Sequence, residues 1–366
     1  MKKIAILGAN ESIAILIKKA KELGYETHVF AWGCGDVGEG LADYFYPISI
    51  SEKEKIYEKC KEIGISGICS ITSDFAAPVV SYISRKFGFP SNPEKTDLLA
   101  RNKFQMRETL SMIPNTYVPK HILVSSLEDI NLVKNFNFPV IVKPTDRWSS
   151  KGVNRVDSYA KLNEAINTAI GESLEKKAVI EEFIDGNEYS AECIVKNGDA
   201  KILAFTKKET TGYPHYIETG HRQPSDLTKE KQEEITPIIL DGIKSLGIQN
   251  SAAHVEFKIT PSGKLGFIEI GARMGGDCIG TYLTPISTGL DYVKMVIDVA
   301  CGNELDFTLK STPKKVAVKF IIDESDILKM EQINSSNIVF KSSIDSSFKN
   351  EVIDSSTRHG YYIFTE

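Results

Sequence analysis

Short apolar runs alternate with amphipathic stretches through the first third of the chain. Residues 3–7 read as a buried strand, 12–23 as a helix ending at Gly24, and 27–32 as a second strand. A helix over 53–63, a strand over 67–71 and a helix over 76–87 ending at Gly88 follow. Strands separated by helices of this length predict βαβ units and a parallel, doubly wound α/β sheet. The turn-rich Phe89-Pro90-Ser91-Asn92-Pro93 marks a boundary near residue 97. The next block predicts helices over 101–111, 159–170 and 229–246, with strands over 139–144, 178–182 and 188–195. It closes on two alternating strands, 252–258 and 266–271, around Pro261-Ser262-Gly263-Lys264. From about 304 the chain is polar, with short strand-like runs at 316–322, 338–340 and 361–364.

Composition narrows the class. The 366 residues carry 44 basic and 49 acidic side chains, a formal net charge of −5, and 42% are hydrophobic. At roughly 150 residues per domain, that length predicts two to three globular domains. It excludes a disordered, collagen-like or coiled-coil chain. The near balance of charge argues against a nucleic-acid partner. No run of about 18 apolar residues exists to span a bilayer, and the short run after Met1-Lys2-Lys3 does not read as a secretory leader. Cys34, Cys60, Cys69, Cys193, Cys278 and Cys301 form no CxxC pair, so reduced thiols in a cytoplasmic protein are expected.

Candidate chemistry concentrates between residues 100 and 280. A two-residue turn at Ser262-Gly263 would set Pro261 opposite Lys264 and carry Glu256 opposite Glu269 on one sheet face. Alternation then puts Phe267, Glu269 and Gly271 on one side. Like charges directly opposite each other need neutralising, and Mg²⁺ with substrate phosphates does this. Two solvated glutamates are the other reading the residues allow. Arg273, in the glycine-rich Ala272-Arg273-Met274-Gly275-Gly276-Asp277, has the fork to grip a phosphoryl oxygen. Lys143 ends an apolar strand and so requires an anionic partner. Arg147-Trp148-Ser149-Ser150-Lys151-Gly152-Val153 is a small polar loop of the kind that exposes amides to phosphate. The acidic crossover Glu181-Glu182-Phe183-Ile184-Asp185-Gly186-Asn187-Glu188 can present backbone to an adenine edge and a carboxylate to ribose.

Taken in order, Asn102-Lys103, Val142-Lys143-Pro144, the Ser149–Val153 loop, the Glu181–Glu188 crossover, His254-Val255-Glu256 and Ile268-Glu269-Ile270-Gly271-Ala272-Arg273 resemble the ATP-grasp family, in its carboxylate–amine ligase branch. The resemblance implies an N-terminal pre-ATP-grasp α/β domain over 1–97 and an α+β ATP-grasp domain over 98–302, with lobes 98–175 and 176–302. A small β-rich lobe over 303–366 would follow. It implies that Lys103 and Lys143 contact ATP phosphates while Ser149, Ser150, Lys151, Gly152 and Val153 close over them. Glu181 and the backbone of Phe183 and Ile184 would hold adenine, Phe267 would pack on the ring, and Glu188 would bind ribose. Glu256 and Glu269 would ligate Mg²⁺, with Mn²⁺ as the alternative metal, and Arg273 would stabilise the transferred phosphoryl group. Gly271 stands where many members carry Asn, which leaves one or two metal ions open.

The implied reaction is ATP-dependent joining of a carboxylate, an amino acid or small acid, to an amine through an acyl phosphate. Tyr213-Pro214-His215-Tyr216, His221 and Arg222 are candidate substrate contacts, and His254, beside Glu256, either lines the substrate pocket or fixes the hairpin. The expected partners are small molecules and a second copy of the chain in a homodimer. Three rivals remain: a purine-pathway or carbamoyl-phosphate-type relative, a non-catalytic nucleotide-binding module, and an NAD(P)-dependent oxidoreductase. The last would use Gly33-Cys34-Gly35-Asp36-Val37-Gly38, a GxGxxG match that follows the second strand rather than the first.

Overall fold

The computed structural model describes residues 1–147, 151–213 and 216–366. Its three sheets follow one another along the chain. The first contains β1 (Lys3–Leu7), β2 (Glu26–Phe30), β3 (Tyr44–Tyr46) and β4 (Gly67–Cys69), all parallel, in the order β3-β2-β1-β4. Ile4 to Leu7 are all fully buried, because helices cover both faces and leave no polar side to the strand. Helices Lys53–Ile63 and Ala76–Phe87 end where the pattern places them. Gly64 and Gly88, each at φ +72°, adopt the left-handed turn that stops them. β3 escapes the pattern because it is a three-residue edge after a glycine-rich loop.

The second sheet contains β5 (His121–Val124), β6 (Val140–Pro144), β7 (Asn154–Val156) and β8 (Ala178–Glu182), antiparallel, in the order β5-β8-β6-β7. Helix Leu162–Glu172 packs Leu162, Ala165, Ile166 and Ala169 against Val140, Val142 and Ile180.

The third sheet has eight antiparallel strands. They are β9 (Asn187–Lys196), β10 (Asp199–Thr210), β11 (Glu218–Gln223), β12 (Ser251–Ile259), β13 (Leu265–Gly271), β14 (Val316–Phe320), β15 (Ile338–Lys341) and β16 (Tyr361–Thr365). Their order is β13-β12-β9-β10-β11-β14-β16-β15, so the tail strands continue this sheet instead of forming one of their own. Alternation divides its faces. Tyr189, Ala191, Val255 and Phe257 pack on Ile235, Ile239 and Ile243 of helix Lys229–Ser245. Glu192, His254 and Glu256 take the opposite face. That face, roofed by the second sheet and closed at one end by the loop after β4, forms the main cleft, with a volume of about 690 Å³.

Candidate active site

The floor of the cleft is the β12–β13 hairpin, where Glu256 is directly paired with Glu269. The route to that pairing differs from a two-residue turn. Thr260 bonds to Lys264, so the loop is the three residues Pro261-Ser262-Gly263, with Gly263 at φ +81°. Ile259 therefore faces Leu265 and Phe257 faces Phe267, and a β-bulge at Ile268 restores the register at Glu256 and Glu269. The extra loop residue and the extra strand residue cancel. Arg107, from helix Lys103–Leu110, holds the bulge in place: its Nη1 donates to the Phe267 carbonyl at 2.6 Å.

The bulge corrects one expected contact. Phe267 does not share a side with Glu269; it is buried against Gly242 of helix Lys229–Ser245, and Ile268 lines the cleft instead. Arg222 is likewise misplaced. Strand alternation on β11 turns His221 into the cleft and Arg222 out of it, toward Glu209 at 3.7 Å and Asp226 at 3.9 Å. Lys151 is exposed, while Val153 lines the cleft. Ser149, Ser150, Pro214 and His215 lie outside the described residues.

Each floor carboxylate is matched by a cation. Lys103, the first residue of helix Lys103–Leu110 behind the Asn102 cap, donates to Glu269 Oε2 at 2.7 Å. Lys208 of β10 donates to Glu256 Oε1 at 2.8 Å and lies 3.2 Å from Glu188 and 3.9 Å from Glu218. Burial alone would discharge Lys208, but the three glutamates outweigh it and push its pKa well above the ordinary lysine value. His254 Nε2 also reaches Glu256 Oε1, at 3.0 Å, while Nδ1 bonds to Glu192. Burial would lower the His254 pKa, yet Glu192 and Glu256 raise it to about 9. Glu192, fully buried, also accepts from the Gly275 N–H at 2.9 Å.

At the opposite end from His221, β6 and β8 bring Lys143 against Glu181, whose other oxygen accepts from Arg107 Nε at 2.9 Å. Burial opposes ionisation of Glu181, but Arg107 and Lys143 hold its pKa down to about 2. Two cations on one carboxylate leave a positive excess, and burial together with Arg107 depresses the Lys143 pKa. Such a site is set to receive an anion. Beside it Ile141, Ile184 and Ile268 form an apolar wall. The Phe183 ring lies between Arg155, 4.8 Å from its centroid, and Lys258 at 4.4 Å. The Phe183 N–H is already bonded to the Pro139 carbonyl at 3.0 Å, so a base edge would meet Phe183 through its carbonyl.

Arg273 completes the centre, held by Asp74 from the loop after β4 through Nε–Oδ1 and Nη2–Oδ2 bonds of 2.8 Å each. Burial works against both charges, and their mutual attraction prevails: the Arg273 pKa is raised and that of Asp74 lowered. Two residues earlier Thr72 sits at φ +61°, a left-handed conformation that costs a β-branched residue about 1–3 kcal/mol.

Sequence reasoning missed Lys208, Asp74, Arg107 and Glu192. The run Thr206-Lys207-Lys208-Glu209 looks like a solvated strand end. Glu192 did leave a signal, as a lone acid inside the otherwise apolar Ala191–Val195 stretch. The residues 33–38 are no phosphate cradle: the Glu39 carboxylate already accepts the N–H groups of Cys34, Gly35 and Asp36 at 2.9, 2.6 and 3.0 Å.

Residues 136–281, from β6 through the Arg273 segment, match the family described as the ATP-grasp domain. The match makes that stretch an ATP-grasp domain. Lys103 and Asp74 lie outside the matched range yet reach into the same cleft. Among curated relatives, alanine–anticapsin ligase of Bacillus subtilis (strain 168) is 28% identical over 74% of this chain and 64% of its own length. D-Alanine–D-alanine ligase of Acetivibrio thermocellus is 30% identical over 46% of each chain. The chain thus spans about 64% of the length of the first of these relatives. Among solved structures, L-amino acid ligase from Bacillus licheniformis superposes with a TM-score of 0.83 at 21% identity, covering 100% of this chain and 93% of that one. Phosphoribosylglycinamide synthetase from Anaerococcus prevotii gives 0.78 at 23%, covering 100% and 94%. These two likenesses share the fold. Among the described residues no helix is long and apolar enough to cross a membrane.

Proposed function

We propose that the chain is an ATP-dependent carbon–nitrogen ligase that activates a small carboxylate, an amino acid in the simplest case, as its acyl phosphate and passes it to an amine. The observation that supports this most is the opposed pair Glu256 and Glu269, each countered by a lysine, on the floor of a cleft with phosphate-ready cations at one end. The alanine–anticapsin and D-alanine–D-alanine ligases among its relatives favour amino acids as the substrate class.

In this reading Lys103, Lys143 and Lys208 meet the nucleotide phosphates, Glu181 and the Phe183–Ile184 backbone flank adenine beside Ile141 and Ile268, and Glu188 takes the ribose. Glu256 and Glu269 are hard oxygen donors on adjacent strands, the donor set that Mg²⁺ or Mn²⁺ takes, so they fit a metal that arrives with ATP. When bound, the metal supplies neutralisation of the phosphate charge. Gly271 adds no side-chain ligand, leaving two carboxylates for the metal. Arg273 stays cationic and faces the substrate side, where it stabilises negative charge on the transferred phosphoryl group and on the later tetrahedral intermediate.

Two transfers follow. The substrate carboxylate oxygen attacks the γ-phosphorus, the bond to the β-bridging oxygen breaks, and ADP leaves. The amine nitrogen then attacks the acyl carbon, phosphate departs, and the nitrogen gives up a proton as the amide forms. His254 bridges Glu192 and Glu256, so it serves as a positioning group for the floor carboxylate. His221 faces the same end of the cleft as a substrate contact. The six free thiols agree with a cytoplasmic setting. The test is phosphate release from MgATP over pairs of amino acids. Release that needs both an acid and an amine supports the reading; release indifferent to either, or none across the panel, refutes it.

A further inference from the structure

Beyond His221, the cleft ends on a segment to which the reaction above gives no task. Ile353, Asp354 and Ser355, between β15 and β16, line it, and Ile353 is 57% exposed there. Arg358 holds this segment down. Its Nη1 and Nη2 grip Asp277 at 3.0 and 2.8 Å, and its Nε donates to the Ser355 carbonyl at 2.7 Å. The guanidinium carbon lies 3.6 Å from the Phe320 ring centroid, so the fork is also stacked. Asp277 and Cys278 are both left-handed, at φ +47° and +66°. Two successive non-glycine residues in that region persist only where their surroundings over-determine them. Ser355 Oγ donates in turn to Glu218, which shares Lys208 with Glu256.

We propose that Arg358 is a positioning residue for the amino-acid substrate: by clamping residues 353–358 across Asp277 it builds the wall against which that substrate, and not the nucleotide, is fitted. The inference rests on the ligase reading. Chemistry also defines what the wall accepts. Arg358 spends both Nη groups on Asp277, so it presents no free fork to a second anion. Glu218, Asp277 and Asp354 stand on the same side against Arg358 and the shared Lys208, an acidic balance. Such a wall suits a substrate bearing an ammonium group and disfavours a phosphate ester.

Steady-state kinetics of Arg358→Met, Arg358→Lys and Asp277→Asn against the wild type test this, with thermal midpoints as the folding control. Losing bonds to a charged group predicts that Arg358→Met raises the amino-acid KM about 10-fold or more. Arg358→Lys, which keeps the charge without the fork, should fall between. The KM for ATP should stay within about twofold. An unchanged amino-acid KM, or an equal rise in both KM values, overturns the inference. If Arg358→Met does not fold, Arg358→Lys and Asp277→Asn read the same link. Wild-type turnover with no split in the variants defeats the clamp alone; no wild-type turnover with any amino-acid pair defeats the ligase reading and the clamp together.

Discussion

Asp74 and Arg273, 199 positions apart in sequence, meet through two parallel hydrogen bonds of 2.8 Å each. The bond joins the loop after the last strand of the N-terminal sheet to the segment that follows the second floor glutamate. A planar fork on a carboxylate fixes orientation as well as charge. The N-terminal α/β part therefore orients Arg273, the group proposed to face the reacting phosphoryl. Asp74→Asn keeps the size and loses the bidentate charge pair. The account predicts a fall in kcat of roughly 10²-fold, the scale of one lost transition-state contact, with the KM for ATP changed only a few-fold. Initial rates at saturating ATP check this.

Lys208 is the hub for Glu188, Glu218 and Glu256, and its side chain is only 4% exposed. Removing it leaves three half-buried carboxylates without their shared cation. Lys208→Met should cost roughly 3–5 kcal/mol of unfolding free energy. The Lys208→Met/Glu256→Gln double variant should lose less than the two single variants summed, because the pair is coupled. Urea unfolding of the four proteins measures the coupling.

Gly275 approaches the Glu192–His254 pair so closely that a Cβ there would fall 2.4 Å from Glu192 Oε1 and 2.8 Å from His254 Nδ1. Neither partner can yield, since both are buried and bonded to each other. Gly275→Ala should destabilise the protein by about 1–3 kcal/mol. Gly276→Ala, where nothing lies within 4 Å of the added carbon, should be nearly neutral in the same thermal melt.

Glu181 gives the pH signature. Arg107 and Lys143 hold its folded pKa at about 2, below the ordinary 4.5. A depressed carboxylate contributes stability that is fully present above its unfolded pKa and is lost as pH falls through the folded one. The stability gap between wild type and Glu181→Gln should therefore be widest above pH 4.5, with a ceiling on the order of 3 kcal/mol, and should narrow from there toward pH 2. Denaturant midpoints across that range show it.

The elements most legible in the sequence were those with local stop signals: helices Lys53–Ile63 and Ala76–Phe87 end at glycines that permit the left-handed turn. Opposition of Glu256 and Glu269 was also legible, although a loop one residue longer and a bulge one residue wider had to cancel. The side on which Phe267 falls was not, because the bulge is held by Arg107, 160 residues away, and no local pattern announces it. β10 and β11 were invisible for a similar reason: Lys208 and His221 become buried only when β9, β12 and β14 pack around them. Asp74 joined the site through tertiary folding alone.

Trapping with hydroxylamine tests directly whether this cleft makes an acyl phosphate. With MgATP, the acid identified by the phosphate-release screen, and hydroxylamine in place of the amine, the account predicts one hydroxamate per ADP from the wild type and none from Glu269→Gln. ADP formed without hydroxamate, or hydroxamate formed undiminished by Glu269→Gln, would contradict it.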